Sequence, residues 1–180
     1  IAEAMPAGYI GDCSRADLDL RHILDSILPA IAPESKDTFP LGRREPLNVF
    51  DLGAGAGLPS LPLAILFPQH IFHLLDAQEK RCRFATEAAQ KVGLTNVKVY
   101  HGVVQDFPEK FGKDIQADVV VFRAFRKILA SLELALHVLR KSGSSVAEPG
   151  EAKVLYWRSQ RVPFSDEGNT RVSDLGYQIE

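Results

Sequence analysis

Residues 49–58 read VFDLGAGAGL, and this stretch decides the fold. It joins an apolar run, typical of a buried strand, to three glycines at alternating positions, Gly53, Gly55 and Gly57. Glycines let a backbone bend sharply and approach a ligand without a Cβ in the way. A strand that enters such a loop often serves a nucleotide-like ligand. Asp51, two residues before the first glycine, is the feature that such a ligand leaves unexplained.

Short apolar runs alternate with helical patterns from Leu47 onward. The predicted strands are LNVFDL, IFHLLD, NVKVY, ADVVVF and KVLYW, and the helical patterns cover 58–67, 78–92 and 127–140. This alternation predicts an α/β fold: a doubly wound, mostly parallel, Rossmann-like sheet with helices on both faces. In such a sheet the ligand lies at the carboxyl ends of the strands, over the first strand-to-helix turn. Here that turn is the glycine loop.

The amino-terminal part predicts a helical extension of this core. Residues 14–28 place Leu18, Ile23, Leu24, Ile27 and Leu28 on one helical face, with Ser14 as the N-cap. Residues 29–46 contain four prolines and many polar side chains, and they predict a connecting loop. We therefore expect residues 1–46 to pack on a core domain of residues 47–180. The last segment stops where a strand begins, so a final strand is expected to be missing.

The composition is that of an ordinary globular protein. The 180 residues are 46% hydrophobic and 24% charged with a net charge of -2, which excludes a polycation and a largely disordered chain. Cys13 and Cys82 lie in no metal-binding pattern, and the longest apolar stretch is too short to span a bilayer. We expect a cytoplasmic monomer without a metal ion or a membrane partner.

Asp51 distinguishes between two ligands for the glycine loop. The dinucleotide fingerprint GxGxxG fails at Leu58 when counted from Gly53, but it meets the small Ser60 when counted from Gly55, so spacing alone does not exclude NAD. A pyrophosphate at this turn would be repelled by Asp51, whereas a cationic ligand would be attracted. S-adenosylmethionine carries a sulfonium and an ammonium group and no phosphate. Asp76, at the end of the second strand, is then expected to bind the ribose hydroxyls.

Four further motifs make a more specific resemblance. In order they are RHILDS, GLPSLPLAI, EKRCRF and FRAF. Together with the glycine loop they resemble the 16S ribosomal RNA guanine-N7 methyltransferase family, also called GidB, strongly over about residues 20–140. The resemblance implies a class I methyltransferase with a seven-stranded type of sheet, S-adenosylmethionine as cofactor, and 16S ribosomal RNA of the small ribosomal subunit as partner.

The resemblance also implies a set of site residues. Gly53 and Leu58 would line the cofactor pocket, and Val104 and Gln105 would contact the adenine, although the family usually has an acid where this chain has Gln105. The expected cofactor-binding residues are Asp51, Gly53, Ala54, Gly55, Gly57, Leu58, Asp76, Val104, Gln105 and Arg123. Arg123, in the motif FRAF, would lie beside the methyl-transfer position and is the candidate catalytic residue.

Basic residues near the predicted pocket mouth are candidates for RNA binding. If they converge there, they would hold RNA phosphates and orient the substrate without reading its sequence. The expected set is Lys80, Arg81, Arg126, Lys127 and Arg158, and Arg43 and Arg44 fall in a neighbouring loop. For any single one of these charges, a solvated position on the surface is the more ordinary explanation.

The expected chemistry needs no general base, because guanine N7 already carries a free lone pair. The enzyme would align N7, the methyl group and the sulfur, and place a positive donor near the guanine edge. Three alternatives stay open at this point. They are a methyltransferase of the same fold for another RNA or a small molecule, a non-catalytic RNA-binding or ribosome-assembly module, and, more distantly, a dehydrogenase.

Overall fold

The computed structural model describes residues 14, 16, 18–31, 39–111, 115–123, 128–139 and 153–157. The strands are β1 (Asn48–Leu52), β2 (Ile71–Asp76), β3 (Val97–His101), β4 (Val119–Arg123) and β5 (Lys153–Trp157). The α-helices are α1 (Asp25–Ile31), α2 (Ser60–Leu66), α3 (Glu79–Lys91), α4 (Phe107–Phe111) and α5 (Ile128–Ala135). A π-helical segment, Leu18–Leu24, runs directly into α1, and short 3₁₀ turns cover Pro40–Gly42 and Val104–Asp106.

The strands form one parallel sheet with a topological switch point. In the described part of the chain its order is β3-β2-β1-β4-β5, and each neighbouring pair is parallel. The chain moves outward from β1 to β3 and then returns to place β4 on the other side of β1. The connections after β1 and β4 therefore diverge, and a crevice opens at the carboxyl ends of these two strands. The prediction of a doubly wound parallel α/β fold is confirmed.

Each face of the sheet carries its own hydrophobic core, because successive side chains of a strand point to opposite faces. Along β4, Val119 and Val121 join one core, whereas Val120 and Phe122 join the other. The first core includes Leu61, Leu63 and Ala64 of α2 and Ala85 and Ala89 of α3. The second core includes Phe107 of α4 and Leu132, Leu134 and Ala135 of α5. The two faces together exclude water from the strands and fix the sheet that positions the site.

A buried histidine ties three strands together inside the second core. The His73 ring donates from Nε2 to Asn48 Oδ1 at 3.0 Å and accepts at Nδ1 from the Tyr100 hydroxyl at 3.0 Å. It also stacks on Phe50 with ring centroids 4.6 Å apart. Burial, and to a smaller degree Lys98, lowers the pKa of His73 to about 4. The neutral ring therefore acts as a structural cross-link.

The amino-terminal helix differs from its sequence prediction in extent and in its buried face. Helix α1 continues through Pro29 to Ile31, so the loop predicted from residue 29 begins later. Of the predicted apolar face, Leu24 and Leu28 are 37% and 50% exposed, whereas the polar Ser26 is fully buried. The predicted apolar face is therefore only partly right: Ile23 and Ile27 are half-buried, whereas the buried Ser26 bonds Arg123 on the sheet, as shown below. The division of the chain at residue 46 stays a prediction.

Two residues that precede β1 belong to the first core. Phe39 and Leu41 are buried against the helices of that face. Residue 14, the predicted N-cap, is described, but its neighbours 13, 15 and 17 lie outside the described residues. No helix in the described part of the chain is long and apolar enough to cross a membrane.

Candidate active site

The glycine loop after β1 is held by the end of β2. Gly53 and Ala54 both donate their backbone N–H groups to the Leu75 carbonyl, at 2.8 and 3.2 Å. The next loop residue, Gly55, donates its N–H to Asp76 Oδ2 at 3.0 Å. All three glycines have positive φ angles, 74° at Gly53, 55° at Gly55 and 82° at Gly57, which residues with a Cβ rarely adopt. The sequence therefore needs glycine here for the turn itself.

Gly55 and Gly57 have different surroundings. A Cβ on Gly57 would lie 2.5 Å from Leu61 Cδ1, so this glycine lets the loop pack against the first turn of α2. A Cβ on Gly55 would meet only the Gly53 carbonyl oxygen, at 3.8 Å. Among the described residues, Gly55 faces open space where a ligand can approach the backbone. The two positions look alike in the sequence, but in the structure Gly57 packs against α2 and Gly55 faces open space.

Asp51 is a buried carboxylate without a hydrogen-bond partner in the described part of the chain. Its side chain is 1% exposed, and neither carboxylate oxygen nor the nearby Ser60 hydroxyl makes a hydrogen bond there. Burial raises the pKa of Asp51 to about 7; the proximity of Ser60 lowers it in part, and Asp76 adds to the rise. Ser60 is close enough to stabilise the charge but lies outside hydrogen-bonding geometry. An unpaired buried acid is costly, so this position is suited to a cationic or hydrogen-bond-donating ligand.

Asp76 has a role in the fold that the sequence did not reveal. Besides accepting from Gly55, its Oδ1 accepts from the Gln78 backbone N–H at 2.8 Å, at the start of α3. The Arg81 guanidinium lies 3.8 Å from Oδ2. Asp76 is 6% exposed at the carboxyl end of β2. Asp76 thus stabilises the glycine loop through these hydrogen bonds. Each carboxylate oxygen can accept a further hydrogen bond, which the predicted contact with the ribose hydroxyls would use.

The expected adenine-side pair lies in the 3₁₀ turn after β3. Val104 is buried in the second core, so its side chain packs inward. Gln105 is exposed. Of the loop residues expected to line the pocket, Ala54 is buried and Leu58 is half-buried. The topology places all of these residues at the carboxyl edge of the sheet.

Arg123 ends β4, directly across the switch point from the glycine loop. Asp51 pairs with Val121 in the register of these parallel strands, and Arg123 follows two residues further along β4, so it lies at the carboxyl edge of the sheet next to the end of β1. The guanidinium reaches the amino-terminal helix, where Nη2 lies 2.9 Å from Asp25 Oδ2. Burial lowers the pKa of Arg123 and the Asp25 carboxylate partly restores it, and the group stays charged at neutral pH. Asp25 was absent from the predicted site, although the motif RHILDS contains it.

The candidate RNA-binding residues are only partly brought together. Lys80 and Arg81 lie in the first turn of α3, at the same edge as the glycine loop. Arg43 and Arg44 precede β1, and Gln69, which precedes β2, bonds the Arg43 carbonyl at 3.2 Å. They therefore lie at the amino edge of the sheet and do not converge with Lys80 and Arg81 at the carboxyl edge. Arg126, Lys127 and Arg158 lie outside the described residues.

Among the described residues, no three His, Cys, Asp or Glu side chains are grouped so as to hold a metal ion.

The structure can be assigned to a fold class before the family of the chain is considered. A crystal structure of a SAM dependent methyltransferase from Aquifex aeolicus resembles the chain with a TM-score of 0.52 and 24% sequence identity, over 84% of this chain and 82% of that chain. The parallel sheet, its switch point and this likeness establish a class I methyltransferase fold.

Sequence comparison gives the family. The GidB family model, described as rRNA small subunit methyltransferase G, matches residues 8–168. Proteins of Streptococcus pyogenes named ribosomal RNA small subunit methyltransferase G are 37% identical over 133 residues, which are 74% of this chain and 53% of theirs. The chain belongs to the GidB family, which confirms the resemblance inferred from its motifs. It spans about half the length of these relatives.

Proposed function

We propose that the chain transfers a methyl group from S-adenosylmethionine to N7 of a guanine in 16S ribosomal RNA of the small ribosomal subunit. Membership of the GidB family supports the reaction and the class of substrate. The single structural observation that carries the proposal is the buried Asp51, whose carboxylate has no hydrogen-bond partner among the described residues, at the start of a glycine loop in which Gly55 faces open space. A cytoplasmic monomer without a metal ion is the simplest form consistent with this function.

The residues at the carboxyl edge fit the proposed cofactor. Asp51 would attract its cationic methionine end, and Gly55 would admit that end close to the backbone. Asp76 would accept from the ribose hydroxyls, and the backbone of Val104 with Gln105 would contact the adenine. The cofactor itself supplies an electrophilic methyl group on a sulfonium. The chain supplies binding and alignment, because guanine N7 needs no deprotonation.

Arg123 is the proposed orienting group at the reaction centre. It carries a positive charge at the carboxyl end of β4, on the switch point where a ligand would lie. A donor there would hold the acceptor edge of guanine, O6 and N7, in line with the methyl group. Lys80, Arg81, Arg126, Lys127 and Arg158 would contact RNA phosphates around this centre, which predicts affinity that falls with salt.

Isothermal titration tests the cofactor assignment directly. S-adenosylhomocysteine should bind, and NADH should give no heat under the same conditions. Binding of a cationic ligand beside Asp51 favours the ionised carboxylate, so affinity for S-adenosylmethionine should rise with pH through about 7. Titration in buffers of different ionisation enthalpy should detect the released proton. NADH binding without S-adenosylhomocysteine binding would instead support a dehydrogenase.

Labelling of ribosomal subunits tests the substrate. Small subunits from a strain that lacks the N7 modification should accept labelled methyl groups from the cofactor, and subunits that already carry the modification should not. Cofactor binding with label on a different RNA or on a small molecule would keep the enzyme class and change the substrate. Subunit binding with no transfer at all would favour the non-catalytic assembly module.

A further inference from the structure

The amino-terminal helical segment, residues 18–31, contacts the reaction site through one arginine. Arg123 Nη2 forms an ion pair with Asp25 Oδ2 at 2.9 Å. Arg123 Nη1 donates to the His22 carbonyl at 3.2 Å and to the Ser26 hydroxyl oxygen at 3.3 Å. These partners are 97 to 101 residues away from Arg123 in the chain. Two motifs that mark the family, RHILDS and FRAF, therefore meet at this contact.

Ser26 explains the geometry of the contact. It is fully buried, on a helix whose neighbouring leucines are exposed. Its hydroxyl donates its single proton to the His22 carbonyl, so the oxygen presents a lone pair to Arg123. His22 lies in the π-helical segment, a geometry that is frequent at functional sites. Ser26 and the His22 carbonyl thus form a preformed acceptor pair, and Asp25 adds the charge.

Fixing the guanidinium matters because an arginine side chain otherwise samples many rotamers. Holding such a chain in one conformation costs rotamer entropy, which a preformed set of acceptors offsets before any substrate arrives. The Arg123 side chain is 20% exposed, and Asp25 is 48% exposed, so the pair lies between the core and solvent. It lies at the carboxyl end of β4, across the switch point from the glycine loop, where the reacting groups are expected.

We propose that Asp25 and Ser26 are positioning residues that fix the guanidinium of Arg123 for methyl transfer, so that the helical segment 18–31 forms part of the reaction site. This inference rests on the proposed function, because it takes Arg123 as the group that orients the guanine. Asp25 and Ser26 act through Arg123 and need no contact with substrate. Their loss should affect the rate of transfer rather than the affinity for the cofactor.

The first test is Asp25→Asn, which keeps the shape of the side chain and removes its charge. Single-turnover transfer to unmodified small subunits at saturating cofactor should slow by about ten- to hundredfold, because small misplacements of an orienting group have effects of that size. The dissociation constant for S-adenosylhomocysteine should change by less than about twofold. Asp25→Glu, which restores the charge, should recover part of the rate. A loss confined to cofactor affinity would overturn the inference.

A matched control removes a carboxylate elsewhere. Glu87→Gln makes the same chemical change on the exposed face of α3, about 12 Å along the helix from its first turn. It should leave the transfer rate unchanged. Ser26→Ala should slow transfer less than Asp25→Asn does, because it removes a neutral acceptor and keeps the ion pair. Equal losses in Glu87→Gln and Asp25→Asn would mean a general charge effect and would overturn the inference.

A double-mutant cycle tests whether Asp25 acts through Arg123. In an Arg123→Ala background, Asp25→Asn should cause almost no further loss of rate, since the group that it positions is gone. A second full loss in that background would show that Asp25 acts independently of Arg123. Melting temperatures of all four proteins identify any variant whose fold is lost, and Arg123→Lys then replaces Arg123→Ala in the cycle.

A measurement without substrate separates this inference from the proposed function. The NMR signal of the Arg123 guanidinium Nε–H should shift and sharpen toward that of a mobile side chain in Asp25→Asn, and stay unchanged in Glu87→Gln. An unchanged signal in Asp25→Asn would overturn the inference even if the wild-type chain methylates RNA. A shifted signal in a chain that methylates no RNA would overturn the proposed function and leave the pairing intact.

Discussion

Two regions at the carboxyl edge of the sheet are stabilised in opposite ways. The glycine loop with Asp51 and Asp76 is local, since it joins two neighbouring strands through backbone N–H groups, a carbonyl and one carboxylate. The contact between Arg123 and the segment 18–31 is made by side chains about 100 residues apart. The first region is shared by folds that bind related cofactors, and the second is built from motifs specific to the family. Under the proposed function, backbone geometry would hold the cofactor, and a long-range side-chain contact would hold the arginine that orients the substrate.

The largest expected effect on the free energy of unfolding is that of Asp51. Raising its pKa from 3.8 to about 7 corresponds to at most about 4 kcal/mol, because each tenfold change in a protonation equilibrium is about 1.4 kcal/mol. The folded state holds the proton more tightly than the unfolded state, so its stability contribution falls as pH rises from about 4 to about 7 and stays low above that. Asp51→Asn should remove this loss. Urea unfolding of both proteins across this pH range measures the difference.

The protonation of His73 changes the stability of the fold in the opposite direction over an overlapping pH range. Its pKa is lowered from 6.5 to about 4, so its contribution to stability is present above about 6.5 and is lost as pH falls toward 4. The test of Asp51 is therefore the difference between variant and wild type at each pH, in which the His73 contribution cancels. A difference that does not change between pH 4 and pH 7 would mean that Asp51 has an ordinary pKa.

The next largest effect on stability distinguishes Gly57 from Gly55 in the glycine loop. Gly57→Ala should destabilise the protein by about 3 kcal/mol, since it combines a positive φ with a methyl group pressed against Leu61. Gly55→Ala has the positive φ but open space, so it should cost about 1 kcal/mol. Gly55→Ala should nevertheless weaken S-adenosylhomocysteine binding more than its stability loss explains. Equal stability losses would contradict the assignment of Gly57 to packing.

The long-range contact should have an intermediate effect. Arg123→Ala removes an ion pair and two hydrogen bonds at a partly buried position, and it should reduce the free energy of unfolding by about 2 kcal/mol. The loss should be regional. Amide hydrogen exchange should accelerate in residues 18–31 while β1 and β2 keep their protection. Uniform acceleration across the sheet would show that Arg123 supports the whole fold instead.

The smallest effect is expected at the rim of the glycine loop. Arg81 lies 3.8 Å from Asp76, and its side chain is 37% exposed, so Arg81→Ala should change stability by less than about 0.5 kcal/mol. Its RNA-binding role would appear elsewhere, as a shallower dependence of small-subunit affinity on salt. Filter binding at several salt concentrations measures this slope. An unchanged slope together with a clear loss of stability would make Arg81 a structural residue.

The strands and the glycine loop could be read from the sequence because their signals are local. A strand buried on both faces is a continuous apolar run, and a turn at positive φ requires glycine, so LNVFDL and the loop after it predicted β1 and its ligand edge. The rotation of the helix 18–31 could not be read in this way. Hydrophobic periodicity favours burial of Leu24 and Leu28 over burial of Ser26, but Ser26 is buried and accepts a hydrogen bond from an arginine about 100 residues away.

The sequence by itself determined the α/β class, the glycine loop at the carboxyl edge of the sheet and the family, because these depend on patterns within a few tens of residues. Only the tertiary structure decided which glycine packs and which faces open space, which edge of the sheet carries Arg43 and Arg44, and what holds Arg123. Each of these is set by groups that the fold brings together from separate segments. Burial, electrostatic pairing and steric contact depend on distance in space, which cannot be read from the separation of two residues along the chain.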